Sequence, residues 1–214
     1  MKCSRCIYWL GVKTVEKCIQ NSAEFFVVGA KEKVPVSRTI ILVTWRKPPE
    51  GRAKLNIDGS ALGNLGVASG GGLICDHNGD WIARFSRALG STNSIIAKLW
   101  ALRDGLTLAK ELCLNSLIVE MDALSVVQLM SNNTINMLME PLLSNCRNLL
   151  QAISNKRIEH VYREANQYAD ALAKMGTNRN FTFFVFVEPP PMVGTLLAFD
   201  KANMFCNRLI NSNT

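Results

Sequence analysis

Histidine is scarce in this sequence and long apolar runs are missing, and each absence closes a class of function. Among 214 residues the only histidines are His77 and His160. Cys3 and Cys6 form a C-x-x-C pair, but a tetrahedral zinc site needs further Cys or His ligands. Both histidines lie far along the chain, so a zinc site is not expected. No apolar stretch reaches the roughly 20 residues of a membrane-spanning helix. The most apolar one, Phe181 to Val187, is far too short. Met1 to Gly11 lack the apolar core and small-residue cleavage site of a secretory leader. The cysteines (Cys3, Cys6, Cys18, Cys75, Cys113, Cys146, Cys206) are odd in number and scattered. Cys75, Cys113 and Cys146 fall inside apolar segments, which is the pattern of reduced, buried thiols in an intracellular protein of the nucleus or cytoplasm.

Charge excess is also absent from most of the chain. Residues 1–54 hold 11 Lys and Arg against 4 Asp and Glu, whereas residues 55–214 hold 13 of each. The whole net charge of +7 therefore sits in the N-terminal part. A basic arm beside a neutral domain suits a phosphate-backbone partner, and equally a solvated leader. With 48% hydrophobic and 19% charged residues, the chain has material for a real core.

Residues 1–48 carry no clear periodicity and are read as a poorly ordered basic arm, with a possible short strand at Thr39 to Trp45. Pro48, Pro49 and the Glu50-Gly51 turn mark a boundary. From residue 49 to 178 the rhythm is regular. Ala53 to Asp58 alternates as a strand, followed by a small polar loop from Gly59 to Leu65. Gly66 to Cys75 is a second strand, thinned by Gly70, Gly71 and Gly72. Glycines inside a strand predict a bulge or another backbone close by. Asn78-Gly79 is a hairpin turn, and Trp81 to Ser86 a third strand. Ile95, Leu99, Leu102, Leu106 and Ala109 recur at helical spacing, giving a long helix to about Leu114 with N-caps offered by Ser91, Thr92 and Asn93. Ser116 to Met121 is a strand, Ala123 to Met130 and Pro141 to Ile153 are helices, Arg157 to Tyr162 a strand, and Asn166 to Met175 a helix stopped by Gly176. Hairpins make the first strands antiparallel and helical crossovers make the last two parallel to the first. The expected product is an α/β fold: a mixed five-stranded sheet with helices on both faces. In the tail, 179–214, Phe181 to Val187 is a candidate added strand, and Pro189-Pro190-Pro191 a stiff spacer.

Three carboxylates fall at informative places. Asp58 ends the first strand, Asp122 ends the fourth, and Asp170 lies in the last helix. Ligand sites of open α/β sheets gather at the C-terminal ends of parallel strands. Carboxylates held together repel until something neutralises them. Mg²⁺ or Mn²⁺ does so with oxygen ligands, and a pair of such ions can drive phosphodiester hydrolysis. Any one of these residues alone would serve as well as a turn former or cap.

The pieces Lys54-Leu55-Asn56-Ile57-Asp58-Gly59-Ser60, Val119-Glu120-Met121-Asp122-Ala123 and Arg163-Glu164-Ala165-Asn166-Gln167-Tyr168-Ala169-Asp170-Ala171-Leu172-Ala173 resemble type 1 ribonuclease H. The resemblance is greatest to the plant group derived from non-LTR retrotransposon reverse transcriptases, and runs over roughly residues 45–195. It implies a ribonuclease-H-like sheet and endonucleolytic hydrolysis of the RNA strand of RNA–DNA hybrids with Mg²⁺ or Mn²⁺. Asp58, Asp122 and Asp170 would be the catalytic metal ligands, and Gly59, Ser60 and Asn166 the contacts to the scissile strand. The last three serve equally well as a turn glycine, a loop serine and a helix N-cap.

One departure stands out. The family's remaining acidic ligand is a Glu in the first long helix, in a pattern like Ala-Glu-Leu-Trp-Ala-Leu, and this chain reads Ala97-Lys98-Leu99-Trp100-Ala101-Leu102. Lys98 removes a ligand and adds a cation, so reduced metal affinity and weak or absent cleavage are expected. The alternatives are an inactive nucleic-acid-binding module or a retroelement relic. The family's flexible-loop histidine is not carried over, since His160 falls on the fifth expected strand, packed at the sheet edge.

Overall fold

Alternating and helical patterns map onto elements that build one main sheet and its covering helices. The computed structural model describes residues 38–63, 65–132, 137–177, 182–188, 190 and 205–211. Most of the basic arm, with Cys3 and Cys6, and most of the proline-rich tail lie outside these residues. Of the two units into which the chain divides, Leu42–Arg208 carries the sheet, helices and site. The strands are β1 (Arg38–Val43), β2 (Ala53–Ala61), β3 (Gly66–Cys75), β4 (Trp81–Thr92), β5 (Ser116–Met121), β6 (Asn155–His160), β7 (Phe183–Val185) and β8 (Cys206–Asn211). The helices are α1 (Ser94–Glu111), α2 (Leu124–Ser131), α3 (Glu140–Gln151) and α4 (Gln167–Gly176), with a 3₁₀ turn at Arg163–Ala165.

The main sheet has the order β6-β5-β2-β3-β4-β7, while β1 and β8 pair separately. β3 runs antiparallel to both β2 and β4. β5 is parallel to β2, and β6 to β5. This is the expected mixed sheet with a sixth strand, β7, added antiparallel to β4. Two strands outrun their expected ends. β2 continues through Gly59 and Ser60 to Ala61, because Gly59, Ser60 and Ala61 find partners in Gly70, Ser69 and Ala68. β4 continues from Ser86 to Thr92 for the same reason, paired with β3 as far as Gly66.

Helices cover both faces. On one, Leu55 and Ile57 are buried against α1, whose Leu99, Leu102, Leu106 and Ala109 form the core stripe. Complete burial of each such Leu or Ile contributes about 1.5–3 kcal/mol. Asn93 caps α1, its side chain accepting from the Ile96 amide at 2.9 Å. On the other face α4 packs Tyr168, Ala169 and Leu172 against Leu73 and Phe186. Polar pegs lock it: Ser69 donates to the Ala173 carbonyl at 2.5 Å and Ser86 to the Leu172 carbonyl at 2.9 Å.

The glycine run of β3 meets the second of the two alternatives that its composition predicts, another backbone close by, and the register shifts of β3 fall outside the run. Register shifts occur between Ala68 and Ser69 and between Ile74 and Cys75. Gly71, opposite Asp58 in the ladder, lies directly beneath α4, so that a Cβ there would come within 2.5 Å of the Ala173 nitrogen. A backbone cannot yield as a side-chain tip does. Gly71→Ala is therefore expected to cost about 2–3 kcal/mol, read as a lower urea midpoint, whereas alanine at Gly51, which has nothing within 4 Å of its Cβ direction, meets only its φ of +73°.

Candidate active site

The parallel pairing of β2 with β5 sets the site. Asn56 lies opposite Glu120, and two residues further on Asp58 and Asp122 reach the same sheet edge. Their side chains are largely buried, 5% and 13% exposed. Between them stands Lys98 of α1. Its Nζ donates to Asp58 Oδ1 in a close ion pair and to Asp122 Oδ1 at 2.7 Å. Gly59 makes this reach possible, because a Cβ at that position would lie 2.3 Å from the Lys98 nitrogen. The family-like glycine thus serves here as a close-packing point for the helix that carries the lysine.

Burial dominates the Asp58 carboxyl and pushes it up to about 6; Lys98 pulls in the opposite direction, and the neighbouring Asp122 adds to the rise. For Lys98, burial would lower the ammonium. The charges and hydrogen bonds of the two aspartates outweigh it and hold the group above the ordinary lysine value.

Asp170 has its own cations. In the first turn of α4, it accepts from Arg163 Nη2 at 3.4 Å and from Lys174 Nζ at 2.6 Å. Among the described residues no group of three or more His, Cys, Asp or Glu side chains is arranged to hold a metal ion. As they stand, the residues do not fit a divalent ion, since the ammonium occupies the place between the two nearest carboxylates.

The remaining sequence candidates divide. Ser60 is half-buried on β2, opposite Ser69. Asn166 is buried and does not cap α4 with its side chain. Its amide donates to the Ile57 carbonyl at 2.9 Å and its oxygen accepts from Asn56 at 3.3 Å, so it ties α4 to β2. His160 ends the edge strand β6 as expected but is exposed rather than packed; its ring meets Tyr162 edge-on at 5.9 Å.

A second polar assembly escapes sequence reading. Lys54 and Glu120 form a buried ion pair at 2.5 Å. Lys54 also donates to the Arg46 carbonyl at 2.5 Å, and Asn56 bridges Glu120 at 3.0 Å and the Trp45 indole at 3.1 Å. The available signal was the alternation Lys54, Asn56, Asp58, which put polar groups on one face of β2. α4 and the Trp45 lead-in cover that face.

The sheet order, the crossovers and the acidic edge together define a ribonuclease-H-like domain. The solved N-terminal RNase H domain of a Mycobacterium tuberculosis protein superposes with a TM-score of 0.57 at 26% identity, covering 59% of this chain and 94% of that one. RNase H1 from Halobacterium salinarum gives 0.56 at 25% identity over 58% of this chain and 96% of its own. An Arabidopsis thaliana protein named "Putative ribonuclease H protein" is 33% identical over 160 residues, 74% of this chain and 26% of the relative, so the chain spans about a quarter of that protein's length. A family model described as reverse transcriptase-like matches residues 56–176. The chain belongs to this reverse transcriptase-like family.

Removing the ammonium leaves two buried carboxylates facing each other. Lys98→Met is expected to lower stability at pH 7.5 by about 3 kcal/mol. The sign follows from Asp58: its folded value of about 6 lies above the ordinary 3.8, so its ionisation costs stability as pH rises through that range. Without Lys98 that cost grows, and the deficit in melting temperature should be smaller at pH 5 than at pH 7.5.

Proposed function

We propose that this domain binds RNA–DNA hybrids and hydrolyses their RNA strand weakly or not at all. The observation that carries the reading is the Lys98 ammonium bonded to both Asp58 and Asp122. The membership and the 33% identical ribonuclease H relative support a hybrid substrate, and a related fold, LC11-RNase H1, has been solved with RNA/DNA hybrid. An A-like duplex is recognised by shape, phosphates and 2′-hydroxyls in its wide minor groove. Ser60, half-buried near the end of β2, is the contact we assign to the RNA strand, with Gly59 packed behind it against α1. Asn166 acts from inside, holding the Ile57 carbonyl and so the strand end.

A lysine at this place suits binding better than hydrolysis. It lowers the negative charge that a phosphate meets on entry, and the same charge opposes Mg²⁺ or Mn²⁺. The binding-module reading is thus favoured over an unimpaired nuclease by one specific contact. In an assay with labelled hybrid, the parent protein is expected to bind and to cut little in Mg²⁺ or Mn²⁺. Lys98→Glu should cut and should also show a metal-dependent rise in melting temperature that the parent lacks. Comparable cutting by the parent would sink the assignment of Lys98 as a lesion, and absence of hybrid binding would sink the substrate.

A further inference from the structure

Most cations around the sheet are engaged. Arg87 makes a two-pronged contact with buried Asp104. Arg147 is spent on Glu140 and on the Leu129 and Asn132 carbonyls. Arg208 grips both oxygens of Glu164. Arg84 is buried over Trp81, 4.3 Å from the ring centre. Lys98 is only 15% exposed and already holds two carboxylates.

Arg163 and Lys174 differ. Their side chains are 65% and 56% exposed, and among the described residues they share a single counter-charge, Asp170. That leaves one unit of positive charge on the rim of the carboxylate edge. Position supports a role there. Asn166 bonds the Ile57 carbonyl and Gly71, the ladder partner of Asp58, lies under Ala173, so α4 runs over the segment of β2 that ends in Asp58. Exposed ion pairs of this kind contribute little to stability, and the Arg163 contact is long at 3.4 Å. A phosphate can therefore take either cation from Asp170 at small cost, with release of condensed counterions supplying the drive. A guanidinium fork and a mobile ammonium are complementary means of holding phosphate oxygens.

We propose that Arg163 and Lys174 form a metal-independent phosphate clamp at the rim of the site, with Asp170 as its resting counter-ion. The proposal rests on the hybrid-binding reading and names the residues that would carry it. It assigns Asp170 a part opposite to a metal ligand's, because here its charge competes with the nucleic acid.

The test is fluorescence anisotropy of a labelled RNA–DNA hybrid in EDTA, titrated with the full chain at several salt concentrations. Arg163→Ala/Lys174→Ala should weaken binding roughly tenfold and reduce the slope of log Kd against log salt by about two. Asp170→Asn should tighten binding several-fold, which a purely structural ion pair would not do. The charge-preserving Arg163→Lys/Lys174→Arg should retain most of the affinity, which guards against misfolding of the alanine variant. If the alanine variant matches the parent in Kd and slope, or if Asp170→Asn binds more weakly, the clamp is wrong while hybrid binding stands. If the parent shows no salt-dependent binding in EDTA, the clamp and the hybrid-binding reading both fall.

Discussion

Two carboxylates brought level by adjoining parallel strands, Asp58 within β2 and Asp122 just past β5, repel one another, and in this sheet one ammonium holds them together. The constraint is severe because the site is largely dry. Asp58 is buried enough that its carboxyl rises to about 6 even with Lys98 beside it. Removal from water raises the cost of each charge and strengthens each attraction, so the pairing works only if the cation arrives with correct geometry. Gly59 supplies the geometry by letting the α1 backbone come against β2. The register of β2 on β5, which brings the two aspartates level, is fixed one step earlier by the Asn56–Glu120 hydrogen bond and the Lys54–Glu120 pair.

Those two ion pairs answer the same electrostatic problem differently. Lys54 neutralises one carboxylate and uses the Arg46 carbonyl as a further acceptor, so its charge is closed within the sheet face. Lys98 neutralises two, leaving its trio with a net negative charge. Asp170, with Arg163 and Lys174, carries the reverse imbalance. Three carboxylates and three cations thus balance, with the negative part inside and the positive part outside. An edge so arranged does not depend on a bound ion to remain folded. On the proposed reading this explains how a domain can keep its fold after a ligand glutamate is replaced.

Much of this was legible in the sequence, and the rest failed for local physical reasons. Period-two and period-3.6 patterns located the five strands and four helices because apolar side chains recur on the face that meets the main core, as Leu55 and Ile57 do on β2 and Leu99, Leu102 and Leu106 on α1. The glycines of β3 announced a close backbone, and Gly71 beneath Ala173 is that contact. Lys98 stood out once its neighbours were recognised, and the structure adds that it reaches both aspartates. Strand ends were misjudged at Gly59 and Ser60 because small polar residues read as loop, whereas ladder partners in β3 extend the strand. Asn166 offered the side chain of an N-cap but is drawn inward by the Ile57 carbonyl. The polar assembly of Lys54, Asn56 and Glu120 went unread because no local pattern says which polar side chains a later helix and an earlier tryptophan will close over.

The surroundings of Asp170 differ from those of Asp58 and Asp122. The motif groups it with Asp58 and Asp122 as one set of ligands. That grouping presumes a positive centre large enough to draw a helix carboxylate toward the strand ends. Lys98 carries one charge, and it is already shared between two acceptors. A third carboxylate brought to it would meet one attraction and two repulsions. Asp170 instead lies with Arg163 and with Lys174 one turn along its own helix, where an aspartate followed four residues later by lysine is mildly favourable. Asp170 thus has cations of its own, and on the proposed reading the rim that it shares with Arg163 and Lys174 is the part of the edge that meets a phosphate backbone.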